Sequence, residues 1–282
     1  MPWRCGALAR VRALLLGASS LLATGCFSAP SPLAPGLKGS IGLPHQGVLT
    51  QASPLPAEGE GFRRLRRDEI RWGNPRLVDA IQSAAAEVRR TRPGGAALVV
   101  GDLSPRLGGQ ASGHRSHRTG RDADLLFYAT DLQGRSVPCP GFVRFGADGL
   151  ASLGEGESGP FVRLDVGRTW RLVKALVTDP QAQVQWLFAA RWLEALLLEE
   201  GKALGEDPEL LWYAESVLQQ PGDSKAHDDH LHLRIGCSAE ETVGGCSSGG
   251  PQWPWLERGS PAPVPTEAEL VAALLGQTTP SP

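Results

Sequence analysis

The sequence predicts an α+β fold, with a small antiparallel sheet flanked by helices. Three observations carry this expectation. Helical and strand patterns are interspersed without a regular strand–helix–strand rhythm, which argues against a parallel sheet. The segment His230 to Ile235 (HLHLRI) alternates with period two, as a strand with one buried face does. The segment Pro75 to Arg90 opens with proline and lines up Leu77, Ile81, Ala84, Ala85 and Val88 on one helical stripe.

The other elements follow in chain order. Ala96 to Val100 reads as a short buried strand. Asp124 to Tyr128 (DLLFY) reads as another, fed by a Gly-rich loop. Val166 to Val177 forms a helix. Gln183 to Ala190 is a strand running into a helix over Arg191 to Ala203, and Pro208 starts a further helix to about Leu218. Residues 247–265 are loop, and a last helix spans Glu267 to Leu275 before a Pro-rich tail. The chain has 282 residues, 41% hydrophobic and 21% charged, enough apolar material for a packed core. Its 35 glycines and 23 prolines follow no collagen-like period and imply many loops. Trp170, Trp186, Trp192 and Trp212 read as core.

The N-terminus decides the compartment. Arg4, Arg10 and Arg12 precede an apolar run from Ala13 to Ala23, with no acid before residue 26. A basic start, a short apolar stretch and small residues before the break make a secretory signal. The run is too short to span a bilayer comfortably. Leu22-Ala23-Thr24-Gly25-Cys26 resembles a bacterial lipoprotein signal in which Cys26 is lipidated, although Ala23 stands where leucine is usual. An ordinary signal peptide with an incidental cysteine is the alternative. No aspartate follows Cys26, so the resemblance implies a periplasmic protein anchored to the outer membrane. The expected organisation is a signal peptide over residues 1–25, the lipidated Cys26 and a Pro/Ser tether over 26–37, one globular domain over 38–260, and a C-terminal helix and tail over 261–282.

Charge and cysteines narrow the function. A net charge of −2 leaves no cationic excess for a nucleic-acid partner. No Gly-rich phosphate loop precedes a helix, which argues against nucleotide binding. Membrane contact is expected only through the lipid on Cys26, and the sequence does not specify an oligomeric state. Without a CxxC spacing, zinc-ribbon and thioredoxin motifs are absent. Cys237 and Cys246 flank a turn-rich stretch and fit a short-loop disulfide outside the cytoplasm, leaving Cys139 unpaired.

Five of the six histidines lie in two short segments, Gly113 to Asp124 (GHRSHRTGRDAD) and His227 to His232 (HDDHLH). Imidazole and carboxylate are the ligands that zinc uses for hydrolysis, where one coordination position stays open for water. Alternation puts His230 and His232 on one strand face, and Asp122 and Asp124 on another. Single histidines often populate surface loops, and His45 reads as such a bystander; five in two clusters point to a metal site. Asp122 and Asp228 or Asp229 would orient ligand imidazoles or serve as solvated turn acids. Ser116 and Arg115 would bind a substrate carboxylate or be ordinary loop residues.

These residues resemble the lysostaphin, D-Ala-D-Ala metallopeptidase and hedgehog superfamily of zinc peptidases. Within it, SHRTGRDAD and HDDHLHLRIGC are similar to the penicillin-insensitive murein endopeptidases, as are GSIG at Gly39, GDLS at Gly101, LVKAL at Leu172 and QVQWLF at Gln183. The resemblance covers roughly residues 38–250. It implies a zinc site at the sheet, with His117, Asp124 and His232 as ligands, His230 acting on water, and His227 positioning substrate or stabilising charge. His114 matches a family histidine that contacts a second metal, although no histidine between His117 and His227 completes such a site. The implied reaction is penicillin-insensitive hydrolysis of D-alanyl-diaminopimelate cross-links in peptidoglycan. A D,D-carboxypeptidase or dipeptidase of the same superfamily is one alternative. Those enzymes carry a glutamate a few residues before the last ligand, where this chain has His227 and His230. A non-catalytic, zinc-containing wall-binding lipoprotein and a hedgehog-type binding module are the others.

Overall fold

His230–Ile235 is the longest strand, and it sits in the middle of the sheet that organises the molecule. The computed structural model describes residues 38–66, 69–154, 159–222 and 224–258. The proposed signal, tether and last helix lie outside the described residues.

The main sheet has seven strands: β1 (Glu58–Gly59), β2 (Phe62–Arg64), β3 (Leu98–Val100), β4 (Asp122–Leu126), β5 (Val184–Phe188), β6 (Leu218–Gln219) and β7 (His230–Ile235). Their spatial order is β6-β5-β7-β4-β3-β2-β1. The centre is antiparallel, as expected, because β5, β7, β4 and β3 pair antiparallel in turn. The flanks correct the expectation of a small, wholly antiparallel sheet. β2 pairs parallel with β3, and β5 pairs parallel with β6. Each parallel pair is joined through helices: α1 (Pro75–Thr91) between β2 and β3, and α3 (Arg191–Ala203) with α4 (Pro208–Val217) between β5 and β6. Parallel neighbours need such a crossover. A second sheet combines the short strands Ala129–Thr130, Ser136–Val137, Leu150–Ser152 and Phe161–Leu164. The pairs Ser40–Leu43 with Gln46–Leu49, and Ser53–Pro54 with Trp72–Gly73, stand apart.

Apolar alternation fixes which sheet face meets the helices. Leu231, Leu233 and Ile235 of β7, with Ala123 and Leu125 of β4, are completely buried. They share one core with Leu77, Ile81, Ala84, Ala85 and Val88 of α1 and with Trp170, Leu172, Val173 and Leu176 of α2 (Val166–Thr178). Fully burying a leucine is worth roughly 1.5–3 kcal/mol, so a one-residue register slip, which would turn this row outward, is strongly disfavoured. The helices start where the sequence says they should. The Asn74 side chain accepts from the Arg76 N–H with Pro75 at the first turn, and Asp165 and Asp207 cap α2 and α4 in the same way. Trp170 is fully buried, whereas Trp212 is 49% exposed, contrary to the core reading.

The turn-rich stretch before Cys246 contains a short helix, α5 (Ala239–Val243), with a reciprocal capping box between Ser238 and Glu241. Cys237 and Cys246 form the expected disulfide, and Cys139 is free and buried. Glu241 turns inward and bonds Asn74, Arg76 and the Ser40 N–H, tying α5 to α1 and the N-terminal hairpin. Arg121, buried at the start of β4, donates to the carbonyls of Ile235 and Ser247.

Candidate metal centre

The register of β7 on β4 builds the centre. His232 stands directly opposite Asp124, Arg234 opposite Asp122, and His230 opposite Leu126. With Leu231, Leu233, Ala123 and Leu125 in the core, the histidines and aspartates emerge together on the other face. The segment between β3 and β4 brings two further imidazoles. His117 adopts a left-handed backbone (φ 63°), a sparsely populated conformation for a non-glycine residue. Its Nδ1 sits 2.7 Å from the Leu103 carbonyl, which leaves Nε2 directed at Asp124. Beside it Gly101 approaches β4 so closely that an added Cβ would come within 3.2 Å of the Asp124 Cβ.

Three ring nitrogens converge on one carboxylate oxygen. His117 Nε2, His230 Nε2 and His232 Nδ1 each lie 3.3 Å from Asp124 Oδ1. His114 is more distant, with Nδ1 4.0 Å from Asp124 Oδ2 and its ring 4.2 Å from that of His117. His227 packs its ring against His230 and His232, at 4.9 and 5.4 Å, without touching the carboxylate. The potential ligand atoms fall into two groups, His114–His117–Asp124 and His227–His230–His232, and the expected ligand set draws from both.

The donor set passes the test for a metal. Asp124 Oδ1 and His117 Nε2 are buried and, among the described residues, make no well-formed hydrogen bond, only the 3.3 Å contact with each other and, for Oδ1, with His230 and His232. Among the described residues, every ion-pair partner of Asp124 is an imidazole. An ionised carboxylate in that position is costly unless a cation compensates it. Ligands about 2.0–2.1 Å from a tetrahedral zinc are about 3.3–3.4 Å apart, and His117 Nε2 and His232 Nδ1 each stand 3.3 Å from Asp124 Oδ1.

Outer groups orient the rings. His232 Nε2 lies 2.8 Å from Asp122 Oδ1, which also accepts from Arg234 Nε at 2.6 Å. His230 Nδ1 lies 2.5 Å from Asp229 Oδ1. Asp229 therefore fills the orienting position that Asp228 shared in expectation; the Asp228 carboxylate faces Arg144 at 3.9 Å instead. His114 Nε2 meets Asp102 Oδ2 at 3.0 Å, and Arg66 binds the same carboxylate. The sequence carries no signal for Asp102 beyond its place in GDLS after a short buried strand.

Burial and charge set the protonation pattern. Burial alone would raise both aspartates, but Arg234 and His232 hold Asp122 far below the usual carboxylate range, and the surrounding imidazoles do the same for Asp124. Burial would lower His230, yet Asp124 and Asp229 outweigh it and push it up to about 10. His117 is raised despite burial, chiefly by Asp124. A divalent cation at Asp124 would take over the compensation that protonated imidazoles otherwise provide. Burial, then repulsion from His232 and His230, lowers His227 to about 4, so this ring is neutral at physiological pH.

The centre opens into a cleft of about 1090 Å3. His45, exposed as expected, stands at its wall with Ser116 and Arg115, while Phe142, Phe188 and Lys225 border the histidines.

Residues 40–137 match the family model described as penicillin-insensitive murein endopeptidase. That range includes His114, His117 and Asp124; the His227–His232 segment lies beyond it. The chain is 36% identical over 116 residues to penicillin-insensitive murein endopeptidases of Escherichia coli (strain K12 / DH10B) and Shigella boydii serotype 18 (strain CDC 3083-94 / BS512). These alignments cover 40% of this chain, which thus spans 41% of the length of each curated relative.

Proposed function

We propose that the chain is a zinc-dependent murein endopeptidase that hydrolyses D-alanyl-diaminopimelate cross-links of peptidoglycan. The convergence of three imidazole nitrogens at 3.3 Å on the buried Asp124 Oδ1 carries this reading. Similarity to proteins named murein endopeptidases supports the substrate class.

In this reading His117, Asp124 and His232 hold zinc, and His114 with Asp102 forms the outer edge of the donor set, where a second ion would bind. Bound zinc lowers the pKa of water and polarises a carbonyl oxygen. With a cation neutralising Asp124, the carboxylate that most raises His230, this ring would be free to take the proton of the attacking water and to return it to the departing amine when the C–N bond breaks. Asp229 holds the His230 ring so that Nε2 faces the reacting atoms. Neutral His227, next to both rings, donates its N–H to the negative charge that develops on the former carbonyl oxygen. Asp122 fixes the tautomer of His232 and adds charge behind it. No serine is acylated, which makes the reaction indifferent to penicillin. Peptidoglycan as substrate places the mature protein in the cell envelope, with the lipid on Cys26 as its anchor.

The test is cleavage of purified sacculi. The protein should hold about one zinc per chain, and chelation should abolish cleavage while the fold persists. Zinc should restore activity, and penicillin should leave it unchanged. Absence of metal combined with full activity in chelator would refute the proposal.

A further inference from the structure

We infer that a strip of aromatic rings leading out of the cleft binds the sugar rings of the glycan strand. This rests on the peptidoglycan reading and extends it from the peptide cross-link to the polymer that carries it. The strip starts at Phe188, a cleft residue whose ring lies 5.7 Å from that of His232. Trp186 stacks on Phe188 at 5.2 Å, Trp253 meets Trp186 at 5.7 Å, and Trp255 stacks on Trp253 at 5.4 Å. Trp212 closes the run, 5.3 Å from Trp255. Four of the chain's eight tryptophans are thus joined in one row that begins at the metal centre.

Trp253 and Trp255 pack against the core, yet they, Phe188 and Trp186 are only half-buried, and Trp212 is exposed. Trp212 keeps 49% of its surface in water. The polar edges of two others are already used inside the protein: Trp253 Nε1 donates to the Gln185 carbonyl and Trp255 Nε1 to the Val184 carbonyl. Trp255, lying against Tyr213 at 3.7 Å, braces the row, and what Trp253, Trp186 and Trp212 offer outward is apolar surface. Pyranose rings present flat C–H faces and carry no charge in their rings, so aromatic surface suits them where ion pairs cannot. The peptide stems are anionic and would be recognised by cations. A cross-link held at the metal is attached to a glycan strand that must run past the cleft, and the row from Phe188 to Trp212 offers it one such path.

The test uses the full-length protein with two probes: peptide-free glycan strands, and a cross-linked peptide dimer without sugars. Binding of the strands is read by tryptophan fluorescence and co-sedimentation. Wild type should bind the strands, and Trp212→Ala and Trp186→Ala should weaken binding by about tenfold each, as for a ring lost from a stacking platform. Trp212→Ala, at the far end of the row from the cleft, should cleave the sugar-free dimer at the wild-type rate but sacculi more slowly. Should either variant fail to fold, the wild-type titration decides. Wild type that cleaves the dimer but does not bind peptide-free strands overturns the inference, as do folded variants with unchanged binding. Wild type that cleaves neither dimer nor sacculi overturns the endopeptidase reading instead; strand binding that depends on Trp212 would then still support the strip.

Discussion

Replacing His230 with alanine separates two imidazoles that share a strand face. On distance alone His230 is as near Asp124 Oδ1 as His117 and His232 are, all at 3.3 Å. Their other contacts differ. His117 is anchored on the Leu103 carbonyl, and His232 on Asp122, which is wholly buried and paired with Arg234. His230 is held by Asp229, whose side chain is 24% exposed, next to open cleft. A ring that exchanges protons with reactant and solvent belongs at that edge, and fixed ligands belong on buried anchors such as the Leu103 carbonyl and Asp122. His230→Ala should therefore keep zinc and lose turnover by roughly 10²–10⁴-fold, as when a general base is removed. His232→Ala should lose zinc and turnover together. Zinc per chain after dialysis and the cleavage rate of cross-linked muropeptides would be measured for both. Both changes remove a mostly buried imidazole from the same face, so matched melting temperatures exclude a difference in folding. Loss of zinc from His230→Ala as complete as from His232→Ala would make His230 a ligand and refute the assignment. Near-normal turnover would move proton transfer elsewhere, with His227 next in line.

Three further outcomes follow from neighbouring contacts. Asp122→Asn should weaken zinc binding by about 10–100-fold with the three ligands in place, read by competition with a chelating dye; unchanged affinity would mean that Asp122 serves only Arg234. Glu241 is buried, which would raise its pKa, but Arg76 and the N–H groups of Ser238 and Ser40 hold it below the ordinary value. A carboxyl depressed in the folded state stabilises above its unfolded pKa and loses that contribution as pH falls. Glu241→Gln should thus cost about 3 kcal/mol at neutral pH, and the gap to wild type should narrow as pH drops below about 4.5; a gap independent of pH would rule out the charge as its cause. The disulfide closes a loop with a sequence separation of 9, so reducing it should lower Tm by roughly 5–10 °C in thermal melts; an unchanged Tm would mean that the Glu241 network alone secures the loop.

The parts legible in the sequence are those with a period or a cap. The alternation of HLHLRI disclosed both the strand and the shared face of His230 and His232, and Pro75 with its apolar stripe disclosed α1. The flanks of the sheet were hidden because β1 and β6 have two residues each and β2 has three, too few to display alternation. The crossovers they create went unseen for the same reason. Strand limits also moved: β4 begins at Asp122 rather than Asp124, because Arg234 extends the pairing to Asp122. Asp102 was illegible because its partner His114 is brought to it by the path of the loop. Its position is set by main-chain bonds linking Gly101 and Asp102 with Asp124. The helix that Ser238 and Glu241 cap has only five residues, too few to show a helical period within the turn-rich stretch. Trp212 departs from the core reading because α4 is apolar around much of its circumference, and only tertiary packing selects the covered side.

The most direct measurement is the product profile from two purified substrates: a cross-linked muropeptide dimer, and an uncross-linked muropeptide ending in D-alanyl-D-alanine. Endopeptidase action predicts that the dimer becomes two monomers at the D-alanyl-diaminopimelate bond, in a reaction abolished by chelator and by His232→Ala, while the uncross-linked peptide stays intact. Release of terminal D-alanine with the dimer left whole would contradict it and mark a carboxypeptidase; two intact substrates in the presence of a zinc-loaded, folded protein would contradict catalysis altogether.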